Sequence, residues 1–280
     1  MMRRYRITHL TSLVYDAPVF ASHNELRMTP VNEAGQTTLE NRIRIRPLTW
    51  SQVYRDHWGT HVTVMESLSE HSRLEVEAVS TVETSRDGAP GESSGWEGVQ
   101  HPKVQDRSYE WLMQSDRTRP GDGIADLVAS VRAEANPSSA AWALGDKIRG
   151  HLKYEQGVTG VHSSGEDAWS EGRGVCQDFA HVMLGALRGL GVPARYVSGY
   201  LVPNPDIEIG QTVEGESHAW VEFWDGSWHH LDPTNGVAVA TEHVVVARGR
   251  DYEDVSPFKG AYSGSGVADL EVNVEFVRLA

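Results

Sequence analysis

The 280-residue chain has one cysteine, Cys176, in a setting that favours nucleophilic chemistry. The glycine-rich run Gly-Arg-Gly-Val at residues 172–175 precedes it, and apolar residues follow at helical spacing from Phe179 to Leu187. This pattern predicts a helix that begins at the cysteine. A helix N-terminus favours negative charge and therefore the thiolate, the reactive form of cysteine. We interpret Cys176 as a nucleophile, with a small buried core residue as the alternative.

A cysteine nucleophile needs a base, and a predicted β-hairpin offers both a base and an acid that could orient it. His218 begins the first strand of this hairpin and Asp232 ends the second. A three-residue loop at 225–227 would place Trp224 opposite Trp228. His218 would then be the diagonal neighbour of Asp232 on one face, with Cβ atoms about 7 Å apart. A two-residue loop would put the two side chains on opposite faces.

Each of these two residues also has a purely structural interpretation. A histidine beside Trp220 on a strand is often a core residue with satisfied hydrogen bonds, and an aspartate before Pro233 often only ends a strand. The acidic run at residues 251–254 lacks the alternating spacing of a known calcium loop. The sequence shows no nucleotide-binding glycine motif, so we predict neither a metal nor a cofactor.

The elements that must position these residues divide the chain into two parts. Residues 5–82 alternate apolar and polar side chains, for example at 39–45, where Leu39, Ile43 and Ile45 share one face. Several such strands without intervening helices predict an antiparallel sandwich. The predicted class is α+β, with a β-rich N-terminal domain at residues 1–83, a linker at 84–103 and a catalytic domain at 104–280.

Two local predictions concern the catalytic part. The apolar spacing of residues 127–135 predicts a helix that Asn136-Pro137 ends, with Ser138 or Ser139 capping the next one. Residues 204–216 are polar, which predicts an irregular segment that borders the cleft beside His218.

Charge and composition exclude several classes of partner. The formal net charge is −14, which argues against non-specific binding to nucleic acid or to an anionic membrane. One cysteine cannot form an internal disulfide. No stretch of about 18 apolar residues is present, and the first residues lack an apolar signal region. A cytoplasmic location is therefore expected.

The sequence blocks around Cys176, His218 and Asp232 resemble the transglutaminase-like superfamily, specifically its bacterial members with a β-rich N-terminal region. The resemblance spans nearly the whole chain, and the order and local sequence of the three blocks make it specific. The matching blocks are Gly174-Val175-Cys176-Gln177-Asp178-Phe179-Ala180-His181, Ser217-His218-Ala219-Trp220-Val221-Glu222 and Asp232-Pro233-Thr234-Asn235-Gly236. Further matches occur at 191–200 and 249–257, and a weaker one occurs at 5–15 with Arg27, Pro30 and Gln36.

This resemblance implies a papain-like core of helices packed on an antiparallel sheet. It implies Cys176 as nucleophile, His218 as general base and then acid, and Asp232 as the residue that orients His218. The implied chemistry is attack on a carboxamide or peptide carbonyl to form a thioester, which water or an amine acceptor then resolves. The Cys176 N–H is the natural first oxyanion donor, and a second could come from near Tyr154 or Trp169.

Departures from the family limit what is implied. Animal transglutaminases have a Gln-Cys-Trp block and calcium-dependent extra domains, whereas this chain has Val-Cys-Gln. Neither calcium dependence nor protein crosslinking is therefore assumed, and both hydrolysis and transamidation stay open.

Two alternatives remain open. One is an arylamine N-acetyltransferase-like enzyme, although Arg173-Gly174-Val175-Cys176 is a poor match to the Arg-Gly-Gly that usually precedes the cysteine there. The other is a non-catalytic protein-binding module that retains the fold.

Overall fold

The computed structural model describes residues 2–86, 88, 91–157, 160, 163–204 and 206–280. Asp87, Ala89 and Pro90 of the predicted linker, and Pro205 of the predicted irregular segment, lie outside these ranges. Within the described ranges, twelve strands join one sheet, and β6 and β7 form a separate parallel pair. The strands are β1 (Arg3–Leu26), β2 (Gln36–Arg46), β3 (Trp50–Arg55), β4 (His61–Ser67), β5 (His71–Thr84), β6 (Lys153–Tyr154), β7 (Arg173–Gly174), β8 (Ala194–Leu201), β9 (Thr212–Trp224), β10 (Trp228–Asp232), β11 (Val237–Ala238), β12 (His243–Gly249), β13 (Phe258–Gly264) and β14 (Ala268–Arg278).

The helices lie between the two groups of strands in the sequence, apart from one short turn near the C-terminus. They are α1 (Gly95–Val99), α2 (Pro102–Arg107), α3 (Tyr109–Leu112), α4 (Asp122–Ala129), α5 (Pro137–His151), α6 (Gly165–Glu171), α7 (Cys176–Gly189) and α8 (Tyr252–Val255). This mostly antiparallel sheet with few helices confirms the predicted α+β class. Among the described residues, no helix is both long enough and apolar enough to cross a bilayer.

The N-terminal sheet is built around β1, which pairs with β4 and β5 and also with the C-terminal strands β13 and β14. The alternation predicted from the sequence buries one face of these strands around Leu26, Met65 and Leu74. Leu39 departs from that pattern and is 49% exposed. A register shift between Thr38 and Glu40 rotates it off the face that Ile45 buries, because a bulge breaks the alternation.

The two parts of the chain therefore share one sheet. The division at residues 83 and 104 stays a prediction, but the last two strands, inside the predicted catalytic domain, add to the N-terminal strands. The Gln36 side chain joins the parts a second time: its Nε2 donates to the Val245 carbonyl and its Oε1 accepts from the Val245 N–H, both at 2.8 Å. This buried amide therefore fixes β12 against the N-terminal region.

Helix α7 packs between the other helices and strands β8 and β9, and its apolar side chains form part of the largest hydrophobic core. Helix α7 contributes to this core Phe179, Val182, Met183, Ala186 and Leu187. Strand β9, which contacts α7, contributes Ala219, Val221 and Phe223. Burial of an apolar side chain contributes roughly 1.5–3 kcal/mol, so this contact holds the start of α7 in place against β9.

Two local predictions are wrong. Asn136-Pro137 begins a helix instead of ending one: Asn136 caps α5, its Oδ1 accepting the Ser139 N–H at 2.8 Å, and Pro137 occupies the first turn. Proline is tolerated there because its missing N–H has no partner in a helix anyway. The segment at 204–216 is not irregular throughout, since β9 begins at Thr212 and pairs with β14.

Candidate active site

Cys176 is the first residue of α7, as the sequence predicts. Val175 precedes it in an extended conformation, and its N–H donates to Asp178 Oδ2 at 2.7 Å, which caps the helix. A Cβ at Gly174 would lie 2.5 Å from that oxygen, so only glycine allows this close approach. Asp178 is thus an acidic residue in the first turn of α7, and the Cys176 main chain lies where helix N–H groups are unpaired.

The β9–β10 hairpin has the register that a three-residue loop predicts, with Trp224 opposite Trp228. The Asp225 carboxylate stabilises this turn by accepting from Ser94 and Ser138. With that register, His218 Nε2 lies 2.7 Å from Asp232 Oδ2. The structure therefore adopts the three-residue alternative, and loop length decides which side chains share a face.

Asp232 is completely buried and its carboxylate is fully hydrogen-bonded. Oδ1 accepts the main-chain N–H groups of Thr234 and Asn235, at 3.0 and 3.1 Å. Oδ2 accepts from His218, from Asn235 Nδ2 at 2.7 Å and from His243 Nε2 at 3.4 Å. Burial alone would raise the pKa of Asp232, but the hydrogen bonds from the two histidines and Asn235 outweigh it and hold the pKa below its usual range.

Two opposing effects act on the pKa of His218. Its burial disfavours the imidazolium, while hydrogen bonds to Asp232 and Cys176 and the attraction of both groups favour it. The second effect prevails and raises the pKa of His218 to about 10. A protonated His218 between a carboxylate and a thiol is the arrangement in which a thiolate–imidazolium pair forms.

His243 on β12 is a site residue that the sequence analysis missed. It is fully buried, and its Nδ1 accepts the Ala240 N–H at 3.3 Å. Its proton must therefore be on Nε2, which donates to Asp232. No local motif marks this histidine, because it reaches Asp232 only through the pairing of β12 with β8.

His218, Asp232 and His243 bring three potential ligand atoms within 4.8 Å of one another. Both histidines direct Nε2 at the same carboxylate oxygen, and the Ala240 N–H keeps the His243 proton on Nε2. A protonated nitrogen has no lone pair for a metal. The geometry therefore favours a hydrogen-bonded cluster over a metal centre.

A cavity of about 350 Å³, here called the Cys176 cleft, opens beside this cluster. Its lining includes Cys176, His218, Tyr154 and residues 215–217, of which 215 and 216 end the segment predicted to border the cleft. Tyr154 lies opposite Gly174 in the β6–β7 pair, so it is close to Cys176. Burial and the neighbouring Cys176 raise the pKa of Tyr154, so its hydroxyl keeps its proton and could donate to an oxyanion. Trp169, the other residue named from the sequence, stacks instead on His151 with 4.0 Å between ring centroids.

A second cavity, of about 440 Å³, is also lined by His218. It shares Tyr154 and residues 215–218 with the Cys176 cleft and adds Glu214 and Asn235. His218 therefore borders two adjoining cavities; Glu216 lines both of them, and Glu214 lines the second.

Comparison with known proteins places this geometry in a family. Residues 125–233 match the Transglutaminase-like superfamily, and residues 5–83 match the Bacterial transglutaminase-like N-terminal region. An uncharacterized protein of Mycobacterium leprae is 44% identical over 279 residues, which cover 100% of both chains. A protein-glutamine gamma-glutamyltransferase of Pseudomonas aeruginosa is 34% identical over 85 residues, which are 29% of this chain and 13% of that protein.

A solved structure shows the same fold. The crystal structure described as a "putative cysteine protease" from Cytophaga hutchinsonii superposes with a TM-score of 0.79 at 22% identity, covering 100% of this chain and 92% of that chain. The predicted resemblance is thus confirmed: the chain belongs to the transglutaminase-like superfamily and carries a bacterial transglutaminase-like N-terminal region.

Proposed function

We propose that the protein is a cysteine-dependent enzyme that hydrolyses an amide bond in a peptide or protein through a thioester intermediate. One observation carries the proposal: His218 Nε2 lies 2.7 Å from the buried carboxylate of Asp232 while the same imidazole interacts with Cys176 at a helix N-terminus. A binding module has no need for a carboxylate, an imidazole and a thiol in that order.

The proposed reaction uses these groups in turn. The Cys176 thiolate attacks the carbonyl carbon and forms a C–S bond, and the negative charge moves to the oxygen. The Cys176 N–H and the Tyr154 hydroxyl are the candidate donors to that oxyanion. His218 transfers its proton to the leaving nitrogen, the C–N bond breaks, and a thioester remains. Water then attacks the thioester while His218 accepts its proton, and a carboxylic acid and free Cys176 are released.

Alkylation of the native protein by iodoacetamide from pH 4 to 10, followed by intact mass, tests the nucleophile. Cys176 is the only thiol, so one mass increment reports one residue. We expect fast alkylation near pH 6 that falls by about 10- to 100-fold in a His218→Ala variant, since a free thiol is then mostly protonated. Slow alkylation at the same rate in both proteins would favour the non-catalytic binding module.

Transamidation is the second candidate, and two observations favour it. Glu214 and Glu216 line the cavity beside His218, where they would attract a cationic amine acceptor. The Pseudomonas aeruginosa relative is named a protein-glutamine gamma-glutamyltransferase, and the match covers 13% of that protein.

Incubating the protein with casein, in the presence and absence of a fluorescent primary amine, distinguishes hydrolysis from transamidation. Hydrolysis gives new peptide termini or ammonia without the amine, whereas transamidation incorporates the fluorescent label. A Cys176→Ala protein is the control for both. Acetyl transfer from acetyl-CoA to an arylamine would instead support the acetyltransferase alternative.

A further inference from the structure

Strand β14 has one edge that is only half occupied. On one side β1 pairs with every residue from Ala268 to Arg278 without a register shift. On the other side β9 pairs only with residues 274–277. In the part of the chain that the structure describes, residues 268–273 therefore have no strand partner on the β9 side, which we call the open edge.

Hydrogen bonds at both ends of β14 show which main-chain groups point toward β1. The Val267 carbonyl accepts from the Asp16 N–H at 3.2 Å, and the Leu279 N–H donates to the Arg4 carbonyl at 2.7 Å. In an antiparallel ladder the N–H and C=O of one residue point to the same side, and the side alternates along the strand. The odd-numbered residues of β14 therefore bond to β1.

The even-numbered residues of β14 point the other way. The Arg278 carbonyl accepts from the Gly210 N–H at 2.8 Å, on the side away from β1. Continuing the alternation, the N–H and C=O groups of Leu270 and Val272 face the open edge. Unpaired main-chain groups of this kind are a template for another strand.

The side chains at this edge form an apolar stripe that leaves the core. Leu270, Val272, Val274 and Phe276 share one face of β14. Val274 and Phe276 are 1% and 0% exposed, whereas Leu270 and Val272 are 53% and 52% exposed. The two exposed members lie beyond the residues that pair with β9, and their exposure makes them available to a bound molecule.

The open edge leads into the Cys176 cleft. Val272 and Val274 line that cleft together with Cys176 and His218. β9 pairs with β14 only as far as Gly215, and its following residues pair with β8. The cleft therefore lies where the two strands separate, with the open edge on one wall and the reactive residues on the other.

We propose that the acyl donor is an extended peptide segment that adds as a strand to the open edge at Leu270 and Val272. This inference rests on the proposed function and specifies its substrate. Main-chain hydrogen bonds supply affinity for any extended sequence, and the exposed Leu270 and Val272 favour apolar side chains at alternate positions. The bound strand delivers a carbonyl to Cys176. An amide side chain on a rigid folded surface cannot make these main-chain contacts.

The first test compares three reagents on the wild-type protein by intact mass. They are iodoacetamide, an acetyl-alanine chloromethyl ketone and an acetylated tetrapeptide chloromethyl ketone with apolar residues. Each alkylates Cys176 and releases a halide. We expect the tetrapeptide to react about 5- to 150-fold faster than the single-residue ketone, since two hydrogen bonds contribute about 1–3 kcal/mol. Methylating every second peptide nitrogen should remove this advantage when the methylated nitrogens are those that bond to the open edge. Methylating the other nitrogens should preserve it.

A matched pair of variants tests the edge itself. Val272→Pro removes an N–H that faces the open edge and leaves the ladder with β1 intact, which edge positions tolerate. Val272→Ile keeps that N–H and an apolar side chain. We expect a roughly tenfold loss of the tetrapeptide rate in the proline variant only, with iodoacetamide alkylation reporting that the Cys176–His218 pair is intact.

Equal rates for the long and short ketones in the wild type would overturn the inference. So would a homodimer that Val272→Pro separates, because a second copy would then occupy the edge. Failure of the proposed function is distinguishable, since iodoacetamide alkylation would then be slow and independent of His218.

Discussion

Two buried carboxylates on one face of the β9–β10 hairpin differ in how their charge is compensated. Glu222 and Asp232 are both 0% exposed, and each has a histidine beside it. Glu222 also binds the guanidinium groups of Arg195 and Arg248. Asp232 has no arginine or lysine partner in the described part of the chain.

This difference in charge compensation shows how similar residues can form either a structural site or a reactive site. Arginine stays charged at all ordinary pH values, so Glu222 is neutralised without any proton transfer. Arg248 also binds Glu33, at 2.7 Å, which ties this cluster to the N-terminal region. At Asp232 the compensating charge must come from a histidine, and His218 also contacts Cys176. A charge that depends on a mobile proton is what acid–base catalysis requires.

The largest expected effect is on the stability of the arginine-compensated cluster. Glu222→Ala leaves Arg195 and Arg248 buried without their carboxylate, so we expect a loss of about 3–5 kcal/mol in the free energy of unfolding. Urea unfolding followed by tryptophan fluorescence measures it. Glu214→Ala, an exposed carboxylate on the same strand, is the control and should change stability by less than about 0.5 kcal/mol. Equal small losses in both variants would contradict a structural role for Glu222.

The reverse pattern is expected for reactivity. Asp232→Asn removes the charge that favours the His218 imidazolium, so iodoacetamide alkylation of Cys176 at pH 6 should fall by about 10- to 100-fold. Glu222→Gln, under conditions where it is folded, should alkylate at nearly the wild-type rate. If both substitutions lower the rate equally, the two carboxylates do not differ as proposed.

The next expected effect concerns how the free energy of unfolding depends on pH when the charge near Asp232 comes from His218. The pKa of His218 rises from 6.5 to about 10 on folding, so the folded state holds the extra proton between these values. Its contribution to stability is complete below about pH 6.5 and is lost as the pH rises through about 10. The stability advantage of wild type over His218→Ala should therefore shrink by about 1 kcal/mol or more between pH 7 and 9.5. A constant difference over that range would contradict a charged His218.

The smallest expected effect concerns His243. His243→Phe removes one hydrogen bond to Asp232, worth about 0.5–1.5 kcal/mol, so alkylation of Cys176 at pH 6 should slow by about 2- to 10-fold. His243→Gln offers another N–H donor at this position and should largely restore the rate. Equal rates in the phenylalanine variant and wild type would limit His243 to packing against Trp220, whose ring centroid lies 5.3 Å away.

Much of the candidate site was predictable because its determinants are local. Helical spacing and the preceding glycines locate Cys176 at the start of α7, and loop length brings His218 to Asp232. The errors are also instructive. Asn136-Pro137 is compatible with the end or the beginning of a helix, and a bulge at Leu39 leaves no sign in the sequence pattern. Local patterns report periodicity and turns, but they do not report which partner an element finds.

By itself, the sequence determined that the chain has a cysteine at a helix start, and it permitted a histidine–aspartate pair on a hairpin with a three-residue loop. Only the tertiary structure decided that β12 brings His243 to Asp232, and that β14 pairs with β1 and leaves an open edge at the Cys176 cleft. The physical reason is sequence separation. Periodicity and loop length act over a few residues, whereas these contacts join residues far apart in the chain and depend on how whole strands and helices pack.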